Sequence, residues 1–294
     1  MLYFFRLKNL FYFFVCIVCF KLCAADRIKV NTGASSRDIR AEYTFSIMYE
    51  ALDQTKMEFG DYEVQVIGYS LPNYRKLQQV EEGRNINVAM ALTTQEWERR
   101  TIPIRIPLRR GILNYRLLLI HKDNLTKFSN IASVEELKKL RVGLRRNWAT
   151  NEVMAAQDYN IVNAFSYDAI FNMLQLKRYD YVPRGIHEIY DEVLLRQHEL
   201  PDITVAPNIA IYIPAPFYMF VSKKTPHLAE RLETGLRKLV DNGFIEQQLH
   251  QYYGQHIKKA NLKNRRIINV GNPLLPPETP LEDKSLWTDW QQVN

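Results

Sequence analysis

Cysteine is scarce in this 294-residue chain, and all three copies, Cys16, Cys19 and Cys23, lie within the first twenty-five residues. From residue 26 onward there is none, which excludes disulfides, thiolate metal sites and a cysteine nucleophile there. Acidic residues are missing from the start: none occurs before Asp26, whereas Arg6 and Lys8 make the beginning basic. The six histidines, at 121, 187, 198, 227, 250 and 256, have no metal-binding spacing. His187-Glu188 opens like HExxH, but Asp191 stands where the second histidine belongs. G-x-S-x-G, P-loop and GxGxxG motifs are absent, so the common hydrolase, nucleotide and dinucleotide signatures are excluded. These absences favour a binding protein without cofactor or metal over an enzyme. No internal repeat is visible beyond a similarity between two halves.

The N-terminus carries the clearest positive signal. Leu10 to Phe20 is an unbroken apolar run, followed by small residues at Ala24 and Ala25. As a helix it spans roughly 16 Å, against about 30 Å for a bilayer core, so it reads as a secretory signal cut near Ala25 rather than a membrane span. Lys21, between the run and the cut, leaves an uncleaved anchor open. Cleavage implies a periplasmic location and removes three basic residues from the formal charge of +7, leaving 36 basic against 32 acidic. That excess is too mild for a nucleic-acid footprint, and doublets such as Arg99-Arg100, Arg109-Arg110 and Arg145-Arg146 read as solvated faces.

Strand and helix patterns then alternate. Arg27 to Thr32 reads as a strand running into the loop Gly33-Ala34-Ser35-Ser36; Ile39 to Thr55 has helical spacing, and Tyr62 to Tyr69 alternates as a strand. Pro72 starts a short helix ending near Gly83, and Ile86 to Leu92 reads as a buried strand. A second unit follows: a strand at Tyr115 to His121, a capping box at Ser133 to Glu136, a strand at Arg141 to Leu144 and a helix at Asn151 to Gln157. Ser166 caps a helix through Lys177, and Tyr179 to Val182 is a strand. Pro216 to Ser222 is a strand and Thr225-Pro226 opens a helix that stops at Asn242-Gly243. The tail differs, with Pro273, Pro276, Pro277 and Pro280 ahead of Trp287 and Trp290: an extended strap. Such α/β alternation calls for sheets flanked by helices.

This order of elements, with Asn87 to Leu92 leading into Thr93-Thr94-Gln95-Glu96, resembles the family 3 solute-binding proteins, the extracytoplasmic receptors of amino-acid ABC importers. The segments IPIRIPLRRGILNYRLLLIHK (102–122), YDYVPRGIHEIYDE (179–192), FYMFVSKKTPHLAERLETGLRKLVDNG (217–243) and KNRRIINVGNPLLPPETPL (263–281) resemble a divergent branch of that superfamily. The resemblance implies the type II periplasmic-binding-protein fold: two α/β lobes, each a mixed, mostly parallel sheet flanked by helices, joined by a two-strand hinge. It places lobe one at residues 26–114 plus 217–275, lobe two at 115–216, and the strap at 276–294, with crossings near Asn114 to Arg116 and Ala215 to Tyr218.

The same resemblance implies hinge closure of a monomer on a small polar solute, and delivery to an ABC permease in the inner membrane. The alternative is docking onto a sensor or chemoreceptor. In the amino-acid binders an arginine after the Thr-rich turn clamps the ligand carboxylate; Trp97 occupies that place here. Where the family sets an acid for the ligand amine, this chain has Arg184 and Gly185. Those departures point away from an ordinary α-amino acid and toward an anion. The expected ligand contacts are Ser36, Arg37, Thr93, Thr94 and Trp97 from lobe one, and Trp148, Thr150 and Arg184 from lobe two. Five of them have a structural alternative: a turn bond for Thr93 and Thr94, hinge packing for Trp97, a helix cap for Thr150 and an ion pair for Arg184. Arg105 is expected to form a hinge salt bridge.

Overall fold

The computed structural model describes residues 25–31, 39–68 and 71–293. Residues 1–24 of the expected 1–25 signal segment, and the Ser35 to Arg37 loop, fall outside them.

Lobe one begins with β1 (Asp26–Asn31), α1 (Ile39–Asp53), α2 (Lys56–Phe59), β2 (Tyr62–Ile67), α3 (Asn73–Glu82), β3 (Val88–Leu92), α4 (Gln95–Arg100) and β4 (Ile102–Ile104). β1 and β2 pair in parallel. The Asn87 amide then stitches this ribbon to the next one, donating to the Arg27 carbonyl and accepting from the Lys29 N–H. The second ribbon centres on β11 (Phe217–Val221), antiparallel to both β3 and β4. Helices α10 (Pro226–Asp241) and α11 (Phe244–Ala260) complete the lobe. α10 approaches α1 so closely that a Cβ on Gly235 would lie 2.2 Å from the Ala51 carbonyl oxygen, so only glycine fits there. Gly243, read from the sequence as a stop, is a turn at φ +74° that starts α11 at once.

Lobe two runs through β5 (Tyr115–His121), α5 (Leu125–Asn130), α6 (Val134–Lys138), β6 (Arg141–Arg145), α7 (Ala149–Ala155), β7 (Asn160–Ala164), α8 (Tyr167–Gln175), β8 (Tyr181–Gly185), α9 (Ile189–Arg196), β9 (Ile203–Val205) and β10 (Ile209–Tyr212). Alternation along β5 sends Leu117 and Leu119 to one core and Leu118 and Ile120 to another, so both faces of the sheet are covered. Parallel pairs β6–β7 and β6–β8 occupy one half of the sheet, while β5 pairs antiparallel with β8, β9 and β10. Ser133 caps α6 as expected, accepting from the Glu136 amide, but Glu136 reaches one residue further back, to the Ala132 N–H.

One boundary moves. Residues 266–269, assigned from the sequence to lobe one, form β12 (Arg266–Asn269), which pairs in parallel with β10 of the large sheet. Pairing with the free edge of β10 gives β12 a complete ladder on that side, and it makes the chain cross between the lobes a third time. Asn114 ties the first two crossings together. Its side chain donates to the Tyr212 hydroxyl and accepts from the Ala215 N–H.

The tail lies along these crossings. Arg110 donates to the Thr288 hydroxyl and the Ser285 carbonyl, while its own carbonyl accepts from the Trp290 indole N–H. Asn272 donates to the carbonyl of Pro214, just ahead of the second crossing. Trp290 is buried, and Trp287 packs against Gly111. No helix of the described residues is long and apolar enough to cross a membrane.

Candidate functional site

Between the lobes lies a cleft of about 570 Å³. Lobe one contributes Asn31, Thr44, Phe45, Lys76, Leu92, Arg109 and Phe217, and lobe two contributes Arg116, Trp148, Thr150, Arg184, His187 and Glu188. The walls are apolar where Phe45, Leu92, Phe217 and Trp148 meet the space, and strongly cationic elsewhere.

Of the residues expected from the sequence, Trp148, Thr150 and Arg184 lie on this cleft. Trp148 comes just before α7, and its ring stacks on the Arg184 guanidinium, 4.4 Å from the ring centroid. Arg184 is buried and already answered: its Nε donates to Glu192 Oε2 at 2.8 Å, its Nη2 bonds Glu192 Oε1, and Glu188 Oε2 lies 3.1 Å away. The arginine expected to clamp an anion is therefore a neutralised strut. Despite burial, the Glu192 hydrogen bonds and the Glu188 charge raise its pKa. Burial would push the Glu188 carboxyl up, but the charges of Arg184, His187 and Arg116 outweigh it and hold the group below its usual value. Glu188 also accepts from the Gly185 N–H. Ser36 and Arg37 lie outside the described residues.

The lobe-one turn behaves otherwise than expected. Thr93, Thr94 and Trp97 do not line the cleft. Thr94 accepts from the Trp97 N–H as the cap of α4, and the Thr93 hydroxyl donates to Glu98 Oε1 at 2.7 Å. Glu98 in turn holds Arg105 at 2.7 Å. Both hydroxyls are thus used locally, as short polar side chains at helix starts tend to be. The first turn of α4 carries Trp97 inward, where it packs at 4.9 Å on Phe220 among Leu77, Val80, Ile86 and Tyr218. Trp97→Phe should lower stability by about 1–2 kcal/mol, from lost packing alone. Ligand affinity, measured by titration calorimetry, should stay within twofold; a larger loss would return Trp97 to the binding surface.

The residues that sequence reasoning missed are arginines and a lysine. Arg109, half of a doublet read as solvated, is buried among the rings of Tyr43, Phe217 and Tyr253, which lie 5.7, 5.2 and 5.5 Å from its guanidinium carbon. Arg116, on β5 opposite Gly185, also faces the cleft. The Nε of each is buried without a hydrogen-bond partner, and neither forms a salt bridge among the described residues. Such donors are costly to leave unmet. Burial pushes the Arg116 pKa down, with Glu188 opposing, and burial likewise lowers Lys76. Nothing local in the sequence marks these side chains, because the groups that bury Arg109 are spread from residue 43 to residue 253.

Two covered α/β lobes, linked by crossing strands and facing each other over a cationic cleft, define the two-lobed fold of the periplasmic binding proteins. No protein-family model and no curated protein sequence matches the chain. Solved structures do. An ancestral arginine-binding protein bound to arginine superposes with a TM-score of 0.52 at 16% identity, over 78% of this chain and 98% of the other. A histidine kinase sensor domain with similarity to periplasmic binding proteins matches with a TM-score of 0.52 at 17% identity, over 78% and 97%. A structure of glutathione import through GshT and the cystine ABC importer TcyBC of Streptococcus mutans matches with a TM-score of 0.51 at 14% identity, over 79% and 96%.

Proposed function

We propose that this chain is a periplasmic solute-binding protein, exported by a signal cut near Ala25, that closes its lobes on a small anionic solute and delivers it to an ABC importer. The observation that carries the reading is the pair of cleft arginines, Arg109 and Arg116, whose buried Nε donors have no partner among the described residues. An anion arriving between the lobes satisfies donors from both, so binding and closure become one event. It also relieves the burial penalty on Lys76 and adds to the Glu188 charge that already opposes burial at Arg116. Fold similarity to solute receptors supports the binding role, and the anionic preference rests on this chain's own residues. A second reading, ligand sensing through a membrane kinase, is favoured by the equally extensive match to a kinase sensor domain.

The test is a thermal-shift screen of the exported protein against amino acids, mono- and dicarboxylates, sugar acids and short peptides. A ligand at one hundred times its dissociation constant adds about 2.7 kcal/mol of stability. The expected hit is acidic and disappears in Arg116→Met. A well-folded protein that responds to nothing in the panel would remove the solute-binding reading.

A further inference from the structure

The charges around the cleft narrow what it accepts. Four lysine and arginine side chains line it, Lys76, Arg109, Arg116 and Arg184, with His187 beside them as a further potential cation. Two carboxylates answer them: Glu188 on the wall and Glu192, which grips Arg184 from behind. The balance among these groups is a net charge of two, carried by three side chains that both lobes supply. Lys76 and Arg109 belong to lobe one, whereas Arg116 projects from β5 of lobe two.

A zwitterionic amino acid fits this balance poorly. Its carboxylate would find a guanidinium, but its ammonium cancels that charge and leaves the surplus unchanged. Glu188, the carboxylate that lines the cleft, is already held by the Arg184 guanidinium and the Gly185 N–H. Closing the lobes would then bury uncompensated charge, which is strongly unfavourable. A ligand with two acidic groups balances the excess, and if the groups are separated it can offer one to each lobe. Between them Phe45, Phe217 and Trp148 provide apolar wall for a carbon skeleton.

Resting on the solute-binding reading, we infer that the cleft selects a small dicarboxylic acid without an amino group, one carboxylate set against Arg109 and the other against Arg116. Lys76 supplies additional positive potential on the lobe-one side.

Titration calorimetry on the exported protein tests this with succinate, glutarate and adipate, set against butyrate, glutamate and glycerol phosphate. A dicarboxylate should bind at least about tenfold more tightly than butyrate or glutamate. Arg109→Met and Arg116→Met should each weaken it by about 10- to 100-fold, the range for losing a hydrogen bond to a charged group. Should Arg109→Met fail to fold, Arg116→Met and the wild-type ranking still decide. Glutamate matching glutarate, or glycerol phosphate exceeding all dicarboxylates, overturns the inference and leaves a solute receptor standing. Failure of every compound here and in the broader screen, with a cooperative melt, overturns both.

Discussion

Glu192→Gln should lower the melting temperature by about 6–12 °C. Glu192 is buried and holds Arg184 through both carboxylate oxygens, with the Tyr167 hydroxyl bonded to the same group. Burial, helped by the bond to Glu192, pushes the Tyr167 pKa up to about 12, so the phenol stays protonated and donating at neutral pH. Removing the charge of Glu192 leaves a buried guanidinium dependent on Glu188, which bonds it at one site. Breaking such a pair from one side costs about 3–5 kcal/mol; the remaining Glu188 contact sets the expectation near the lower limit. For a chain of this size each kcal/mol moves the midpoint by about 2–4 °C. Arg184→Met with Glu192→Met should recover most of the loss, because matched apolar side chains carry no charge to desolvate. Differential scanning calorimetry on the single and double variants decides the matter. Equal melting temperatures for Glu192→Gln and the parent would show that the pair carries no stability.

Arg231→Met should be at least as damaging, at about 3–5 kcal/mol, and should act on lobe one. Arg231 lies on α10 and is fully buried. Its guanidinium donates to Asp26 Oδ2 at 2.9 Å, the Gly60 carbonyl at 2.7 Å and the Thr55 hydroxyl at 3.2 Å. It therefore joins the first strand, the turn before β2 and the end of α1 in one network. Methionine fills much of the volume but leaves the Asp26 carboxylate and the backbone carbonyls of Leu52, Gly60 and Asp61 with fewer partners, which is where the cost arises. Hydrogen exchange should show β1 and β2 losing protection first while β5 to β8 keep theirs. Uniform loss across both lobes would mean that the lobes unfold as one unit and that Arg231 stabilises the whole.

The order of elements was legible because long helices and half-buried strands declare themselves by period. Tyr115 to His121 reads as β5 without adjustment, and α8 begins after Ser166 as its cap requires. What the sequence concealed depends on partners far away along the chain. β12 is four residues long and becomes a strand by pairing with β10, almost sixty positions earlier. α11 was hidden by Gly243, a residue that ends one helix and begins the next with the same positive φ. Within the cleft, position in a turn was a poor guide. Trp97 is large and aromatic for the sake of the core, whereas Arg109, which looks like half of an ordinary basic doublet, stands among three rings at the cleft. Burial of a charge is a tertiary fact, and a single sequence does not display it.

The tail bound along the crossings acts as a splint on a flexure. Arg110 and Pro214, each just ahead of one of the two crossings, are both fastened to residues beyond 270. A splinted joint bends less under a given load, so the tail sets a cost on any movement of one lobe against the other. Cutting the tail away should therefore ease bending by one common factor, whatever occupies the cleft.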